Sequence, residues 1–198
     1  MTWVKVCGLT RPQDVRAAEV AGADALGFVL VPSSPRFITV GKAAELIRLT
    51  KLPAFVLTKD LFAADLIATA LATGATGVQP YGRHAPEAAQ SATEVGLRVL
   101  RPVDPGEDLA SIPGDQYPLL DSKNRAGEGR GGRMVDPSWL PNGGRDYVLA
   151  GGLTPENVAD VISSSHPWGV DVSSGVESRP GVKDEGLIRL FVEAVRNA

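Results

Sequence analysis

The sequence predicts an α/β protein folded as a (β/α)8 TIM barrel, and two observations support that prediction. Eight short apolar runs recur at intervals of roughly 25 residues, the length of a strand–helix unit with short loops. The runs are apolar almost throughout rather than alternately, which is typical of parallel strands that are covered on both faces. Eight such units close a barrel, whereas five or six would leave an open sheet.

The predicted strands are rich in Val, Leu and Phe. They are Trp3–Cys7, Ala25–Val31, Ala54–Leu57, Gly77–Pro80, Leu97–Val103, Tyr117–Asp121, Tyr147–Ala150 and Gly169–Val172. The segments between most of them show helical spacing, which predicts helices at Pro12–Ala21, Lys42–Leu49, Leu61–Ala72, Pro86–Val95, Pro155–Ser163 and Asp184–Val195. Thr154 is the expected N-cap of the fifth of these helices.

Two connections are rich in Gly and Pro, and we expect them to hold only short turns: Pro105–Pro113 and Ser122–Trp139. The competing fold is an open doubly wound sheet of the flavodoxin or Rossmann type. No Gly-x-Gly-x-x-Gly follows the first predicted strand, which disfavours a dinucleotide site there. The barrel is therefore the preferred prediction.

The composition predicts one cytoplasmic domain covering residues 1–198. A single cysteine excludes an internal disulfide, and a net charge of −3 gives no general attraction to nucleic acid or anionic lipid. The first residues lack a signal-peptide pattern. The longest apolar stretch, Ala25–Pro32, is too short to span a bilayer. We therefore expect neither a nucleic acid partner nor a membrane partner.

Cys7 lies at the end of the first predicted strand, where a parallel barrel carries its chemistry. Lys5 is two residues away, so we expect both side chains to face the barrel interior. A nearby ammonium favours the thiolate, which can accept a proton. A small buried side chain without a chemical role is the alternative. His84 and His166 both lie in polar loop sequence, so neither is predicted to activate Cys7.

Asp121 ends the sixth predicted strand, directly after two leucines. A carboxyl group there is partly desolvated, which favours its protonated form and suits a general acid. A carboxylate that caps the following loop is the alternative. Cys7 and Asp121 belong to different strands, so we expect them on different sides of the barrel mouth with a substrate between them.

The loops after the seventh and eighth predicted strands indicate a phosphate site. Gly151 and Gly152 let backbone N–H groups approach an anion closely, and Ser173, Ser174 and Gly175 add two hydroxyl groups and another bare amide. Barrels frequently bind phosphate at these two loops. A double glycine alone is often an ordinary turn, so the indication comes from the two loops together.

Two further interactions are predicted from charged residues. Arg36 lies just beyond the second predicted strand, where its guanidinium suits bidentate capture of a carboxylate, although a solvated loop arginine is the alternative. The first and eighth strands are neighbours in a closed barrel, so Lys5 and Asp171 are candidates for an interior ion pair. Such a pair would partly neutralise Lys5 and reduce its effect on the acidity of Cys7.

Motifs spread over the whole chain carry a resemblance to a known family. They are Lys5–Thr10, Gly27–Val29 with Ser34–Arg36, Leu119–Ser122, Leu149–Val158, Gly169–Glu177 and Pro180–Asp184. With these motifs the chain resembles the phosphoribosylanthranilate isomerase family of tryptophan biosynthesis. The resemblance implies an aldose–ketose isomerase that catalyses the Amadori rearrangement of N-(5-phosphoribosyl)anthranilate to 1-(2-carboxyphenylamino)-1-deoxyribulose 5-phosphate.

The resemblance also implies roles for individual residues. Cys7 would be the general base, Asp121 the general acid and Arg36 the ligand of the anthranilate carboxylate, while the last two barrel loops would bind the phosphate. No metal or organic cofactor is implied, and the implied partner is the sugar-phosphate substrate. The sequence leaves open whether the protein is a monomer or a homodimer.

The chain departs from the family pattern at two places. Gln79, Pro80 and Tyr81 stand where the family usually has Gln-Leu-His, and the segment 123–136 differs from the usual glycine-rich loop. A proline in a central strand removes a hydrogen bond to the neighbouring strand. The sequence therefore does not predict the backbone geometry of the fourth strand around Pro80. Three other interpretations are weaker: a sugar-phosphate epimerase, an idle phosphate-binding barrel, and an RNA contact through Lys123–Arg133.

Overall fold

Eight parallel strands close into a barrel in the computed structural model, which describes residues 1–104, 106–122, 140 and 145–198. The barrel strands are β1 (Trp3–Val6), β2 (Ala25–Val29), β3 (Ala54–Lys59), β4 (Gly77–Tyr81), β5 (Arg98–Pro102), β6 (Gln116–Leu120), β7 (Val148–Ala150) and β8 (Gly169–Val172). The helices are α1 (Pro12–Val20), α2 (Val40–Ile47), α3 (Ala63–Thr73), α4 (Ala85–Glu94), α5 (Val158–Ser165) and α6 (Glu185–Asn197). The predicted (β/α)8 barrel is confirmed. Among the residues that the structure describes, no helix combines the length and the apolar character needed to cross a bilayer.

Each barrel strand pairs in parallel with the next strand along the chain, and β8 pairs with β1 to close the ring. Side chains alternate along β1 as the pleat requires. Val4 and Val6 are buried in the main apolar core with residues of the helices. Lys5 points the other way, into the barrel, where the register places it opposite Asp171.

The strands that carry the candidate site end slightly earlier than predicted. The first ends at Val6 and the sixth at Leu120, so Cys7 and Asp121 are each the first residue after a strand. The amide of Cys7 still donates to the carbonyl of Val172 at 2.8 Å, which continues the pairing of β1 with β8. Both side chains are therefore held at the carboxyl end of the barrel.

The predicted start of the fifth helix is wrong by three residues. The helix begins at Val158, because the side chain of Asn157 folds the preceding segment into a loop. That side chain accepts from the Thr154 amide at 2.8 Å and donates to the Gly152 carbonyl at 2.9 Å. Thr154 consequently belongs to a turn and is not the N-cap of the helix.

Two elements outside the strand–helix repeat complete the description. A hairpin of β9 (Glu177–Arg179) and β10 (Val182–Lys183) follows β8 and was not predicted, because strands this short contain no apolar run. In the connection from β5 to β6 the structure describes only a 3-10 turn, Leu109–Ser111, as expected for a short turn there. The second predicted turn segment lies outside the described residues from residue 123 to residue 139.

Aromatic rings fill the amino-terminal end of the barrel. Trp168 stacks between Trp3 and Tyr117, with ring centroids 5.2 and 4.9 Å away, and Phe55 meets Trp3 edge-on. The polar groups of the barrel interior therefore lie above an apolar layer, toward the carboxyl ends of the strands.

Strand β4 accommodates Pro80, because the pairing of β4 with β5 ends at Val78, before the proline.

The guanidinium of Arg145, just before β7, ties down the connection between β5 and β6. It donates to the carbonyl oxygens of Leu109, Ile112, Pro113 and Gln116. Charge-assisted bonds of this kind are stronger than neutral ones. They serve a connection whose described residues form no α-helix that would satisfy their carbonyl groups.

We predict that Arg145→Met lowers the free energy of unfolding by about 2 kcal/mol or more, because four carbonyl groups lose a charged donor together. The matched control is Arg189→Met, since Arg189 is exposed and, among the described residues, pairs with Glu193 of its own helix. That change is expected to cost less than about 0.5 kcal/mol. Urea unfolding followed by tryptophan fluorescence measures both, and equal losses in the two variants would contradict the assignment.

Candidate active site

A cavity of about 490 Å³ lies at the carboxyl ends of the barrel strands, a size typical of small-ligand sites. Most of the predicted site residues line it: Cys7, Arg36, Asp121, Gly151, Gly152, Ser173 and Ser174. Gln79, Tyr81 and Asp171 also contribute to the wall. The structure therefore brings together residues from six strands or the loops after them.

Cys7 is a free cysteine with only 4% of its surface exposed. Gly27 on the neighbouring strand β2 makes room for it, because a Cβ there would lie 2.7 Å from the Cys7 Sγ. The sulfur lies in a buried apolar cluster with Val29, Leu57 and Tyr81, yet it also lines the cavity. The thiol thus combines a desolvated setting with access to a ligand.

The predicted ion pair between Lys5 and Asp171 is present. The Lys5 Nζ lies 2.7 Å from Asp171 Oδ2 and donates to Gln79 Oε1 at 2.9 Å, and Lys5 is fully buried. Burial alone would lower the pKa of Lys5, but the charge of Asp171 and the nearby Cys7 raise it above its ordinary value. The pairing with Asp171 therefore favours the charged form of Lys5 inside the barrel.

Lys5 lowers the pKa of the Cys7 thiol as expected, but a larger effect opposes it. Burial raises the pKa of the Cys7 thiol and is the largest effect, because the interior disfavours the thiolate. Lys5 acts in the predicted direction and lowers it, but the carboxylate of Asp171 raises it again. The ion pair thus weakens the help that Lys5 can give, as its partial neutralisation led us to expect.

Asp121 follows β6 and is partly exposed at the cavity wall. Its Oδ2 accepts a hydrogen bond from the Tyr81 hydroxyl at 2.9 Å. Ser122 beside it contacts the loop after β7, where a Cβ on Gly151 would lie 2.3 Å from the serine Oγ. The backbone at Gly151 also has φ +91°, which glycine adopts without strain. The loops after β6 and β7 therefore support each other around the carboxyl group.

Arg36 is held by a carboxylate of the chain itself. Its Nε and Nη2 donate to the two oxygens of Glu177 at 2.8 and 2.7 Å, so this edge of the guanidinium is not available for a ligand. A guanidinium has five N–H donors, and the pair with Glu177 uses two of them. The Nη1 edge makes no hydrogen bond to another described residue and remains for a carboxylate in the cavity.

Sequence reasoning did not assign a role to Glu177 or Lys183, although both lie in the quoted motifs. Lys183 Nζ donates to Glu177 Oε1 at 2.9 Å and to the Ser173 carbonyl at 2.9 Å. Burial opposes the charge of Glu177, but Arg36 and Lys183 together bring its pKa below the ordinary value. The hairpin of β9 and β10 thereby aligns Arg36 and anchors the loop after β8.

Gly175 does not line the cavity, contrary to its predicted role as a bare amide for a ligand. A Cβ at this position would lie 1.8 Å from the carbonyl oxygen of Leu153. The residue therefore permits the loops after β7 and β8 to pack against each other. Neither histidine enters the cavity wall, as expected: His84 stacks on Phe62 with ring centroids 4.2 Å apart, and His166 is exposed.

Known proteins share this architecture over their whole length. The sequence model of the N-(5'phosphoribosyl)anthranilate (PRA) isomerase family matches residues 4–194. This chain belongs to that family. The N-(5'-phosphoribosyl)anthranilate isomerase of Leptothrix cholodnii is 42% identical to it over 212 residues, covering 100% of this chain and 92% of the relative. That of Dechloromonas aromatica is 40% identical over 204 residues, covering 100% and 97%.

Solved structures of the family superpose closely on the barrel. Phosphoribosyl anthranilate isomerase from Thermus thermophilus is 30% identical, with a TM-score of 0.86 and 99% of both chains covered. An isomerase in complex with reduced 1-(o-carboxyphenylamino)-1-deoxyribulose 5-phosphate is 28% identical, with a TM-score of 0.82 and full coverage of both chains. Monomers generated from the dimeric Thermotoga maritima isomerase give 28% identity and a TM-score of 0.85, again with full coverage.

We predict that Asp171→Asn lowers the pKa of the Cys7 thiol, because it removes a nearby negative charge and leaves the ammonium of Lys5 uncompensated. Cys7 is the only cysteine of the chain, so the pH dependence of its alkylation by iodoacetamide reports this thiol alone. The midpoint should move to lower pH. Asp65→Asn, a change on the exposed face of α3, should leave the midpoint in place. An unmoved midpoint in Asp171→Asn would remove the coupling.

Proposed function

We propose that this isomerase-family chain converts N-(5-phosphoribosyl)anthranilate to 1-(2-carboxyphenylamino)-1-deoxyribulose 5-phosphate, with Cys7 as the general base and Asp121 as the general acid. The observation that carries the proposal is that one cavity receives both side chains. They come from β1 and β6, and they differ in chemistry as a proton acceptor and a proton donor must. Both lie where a barrel presents its catalytic groups.

The two charged ends of the substrate have suitable partners at the same cavity. The free edge of Arg36 suits the anthranilate carboxylate. The loops after β7 and β8 suit the phosphate, because Gly151 and Gly152 expose backbone and Ser173 and Ser174 supply hydroxyl groups. Anchoring at both ends holds the ribose between the two catalytic side chains, where orientation lowers the barrier.

The chemistry consists of proton transfers at the ribose, two that form an enamine and two that convert it to the ketone. Asp121 donates its proton to the furanose ring oxygen, the bond from that oxygen to C1 breaks, and the anilino nitrogen becomes an iminium. The cation acidifies the proton on C2, which the Cys7 thiolate removes to leave an enamine. The Cys7 thiol returns this proton to C1 while the C2 hydroxyl gives up its proton to the Asp121 carboxylate, which yields the ketone at C2 and restores both side chains. Each positioned proton transfer contributes about 10²- to 10⁴-fold.

The raised pKa of Cys7 has a chemical consequence for this role. A thiolate that forms in a desolvated site is a stronger base than one in water, and the nearby ammonium of Lys5 stabilises its charge. The site therefore favours proton removal from carbon once the thiolate has formed.

We further propose that residues 1–198 act as one catalytic domain in the cytoplasm, where a reduced thiol persists. The ligand is a small sugar phosphate that carries an anthranilate, and the mechanism needs neither a cofactor nor a metal. A monomer and a homodimer both remain compatible with this proposal. Monomers generated from the dimeric Thermotoga maritima protein are among the structures that resemble it.

We expect Cys7→Ala and Asp121→Asn each to lower kcat by at least about 10²-fold, because each removes one positioned proton transfer. Loss of the fluorescence of enzymatically generated phosphoribosylanthranilate measures turnover. Retained binding of a reduced product analogue and an unchanged thermal midpoint would exclude misfolding. Undiminished turnover in either variant would contradict that residue's role, and tight binding without turnover by the unmodified protein would favour an idle binding barrel.

We expect Arg36→Met to raise the KM for phosphoribosylanthranilate about tenfold or more, because a charged donor pair to the carboxylate is lost. The effect on kcat should be smaller. Arg48→Met is the matched control, since Arg48 lies exposed at the end of α2 and outside the cavity wall. An unchanged KM in the Arg36 variant would assign the carboxylate to another partner.

A further inference from the structure

Lys59 lies at the carboxyl end of β3 and contributes to the wall of the cavity. The pleat of the strand explains this position, because Leu57, two residues earlier, also lines the cavity, whereas Val56 packs in the main core with the helices. The register of β3 with β4 places Lys59 opposite Tyr81, another residue of the wall. The lysine therefore belongs to the inner face of the barrel mouth.

The backbone directly after Lys59 is fixed in an unusual conformation. Asp60 has φ +57°, a value that few residues other than glycine adopt. Its amide donates to the Tyr81 carbonyl at 2.9 Å, and its Oδ1 accepts from the Arg83 amide at 3.0 Å. Gly82 makes room for this carboxylate, since a Cβ there would lie 2.3 Å from the same oxygen. The loop after β4 thus holds the end of β3 and fixes the point from which Lys59 enters the cavity.

The positive charge of Lys59 has no ion-pair partner within the part of the chain that the structure describes. The carboxylate of Asp60 is engaged with the loop after β4, where its Oδ1 also lies 3.8 Å from Nε of Arg83. Arg36, the other described cation of the wall, is paired with Glu177. Among the described wall residues, Lys59 is therefore the cation whose charge is left for a ligand.

The place of β3 in the ring decides which anionic group of the proposed substrate Lys59 can meet. The loops after β7 and β8 suit the phosphate, and β7 is four strands away from β3, on the opposite side of the barrel. Strand β2 is the direct neighbour of β3, and the loop after β2 carries Arg36. In this arrangement the carboxylate end of the substrate lies on the Lys59 side of the cavity and the phosphate end lies across from it.

We propose that Lys59 binds the anthranilate carboxylate together with Arg36, and so selects substrates whose aromatic ring carries a carboxylate. Glu177 occupies two of the donors of Arg36, so that guanidinium presents only its remaining edge to the ligand. The ammonium of Lys59 supplies a further donor and an unpaired positive charge. The proposal rests on the proposed function and adds a specificity-determining residue to the same site.

The test compares two ligands that differ only in the carboxylate: reduced 1-(2-carboxyphenylamino)-1-deoxyribulose 5-phosphate and its phenylamino counterpart without that group. Calorimetry measures the Kd of each ligand. We expect Lys59→Met to raise the Kd of the first ligand about three- to tenfold, because one charged donor is lost at a partly hydrated site, and to change the Kd of the second less than about 1.5-fold. Lys59→Arg keeps the charge and should hold both Kd values within about twofold.

Lys51→Met is the matched control, because Lys51 is also exposed but precedes β3, at the other end of the barrel. It should change neither Kd. An unchanged Kd for the carboxylate ligand in Lys59→Met would overturn the proposal. An equal loss for both ligands would also overturn it, since Lys59 would then act on the phosphate or on the fold. A loss in Lys59→Arg as large as that in Lys59→Met would likewise contradict a role of the charge.

Two further measurements keep these outcomes separate from others. Because Lys59 is exposed, its variants are expected to fold, and an unchanged thermal midpoint checks this. Lys59→Gln replaces Lys59→Met should the latter fail to fold, with the same expected results. Failure of the unmodified protein to turn over phosphoribosylanthranilate would contradict the proposed function, whereas the comparison of the two ligands would still decide the role of Lys59.

Discussion

The ion pair between Lys5 and Asp171 lies at the seam where β8 closes the barrel onto β1, and the electrostatics of the site depend on it. An unpaired ammonium in this position would cost several kcal/mol, so the two strands bring a carboxylate to the same depth. Asp171 Oδ1 remains buried without a hydrogen-bond partner among the described residues. This second oxygen of Asp171 is therefore a hydrogen-bond acceptor at the cavity wall. The pairing of β8 with β1 that closes the barrel thus also contributes to the site.

One buried charge influences both proposed catalytic groups, but in different ways. It acts on Cys7 through space, where it opposes a larger effect of burial on the thiol pKa. It acts on Asp121 through the directed hydrogen bonds of Gln79 and Tyr81. The thiol is thereby influenced through space and the carboxyl group through hydrogen bonds.

A second polar group of residues organises the outer part of the cavity. Glu177 accepts from both Arg36 and Lys183, so two cations share one carboxylate. The net positive charge of this arrangement suits a ligand with a carboxylate and a phosphate. Gly8 completes it, because a Cβ there would lie 2.5 Å from Arg36 Cδ. The aromatic layer at the other end of the barrel provides the apolar base on which these polar groups rest.

The sequence by itself determined the eight strands and the residues at their carboxyl ends, because hydrophobic runs and strand-end polar residues are local patterns. Apart from the pair of Lys5 with Asp171, which follows from the adjacency of the first and eighth strands, it could not determine what those residues touch. Arg36 meets Glu177 across 141 positions of the chain, and Tyr81 meets Asp121 across 40. The desolvation that outweighs the expected effect of Lys5 on the Cys7 pKa likewise depends on strands that are distant in sequence. Only the closed tertiary structure decides such effects, since burial and through-space charge are properties of the packed barrel.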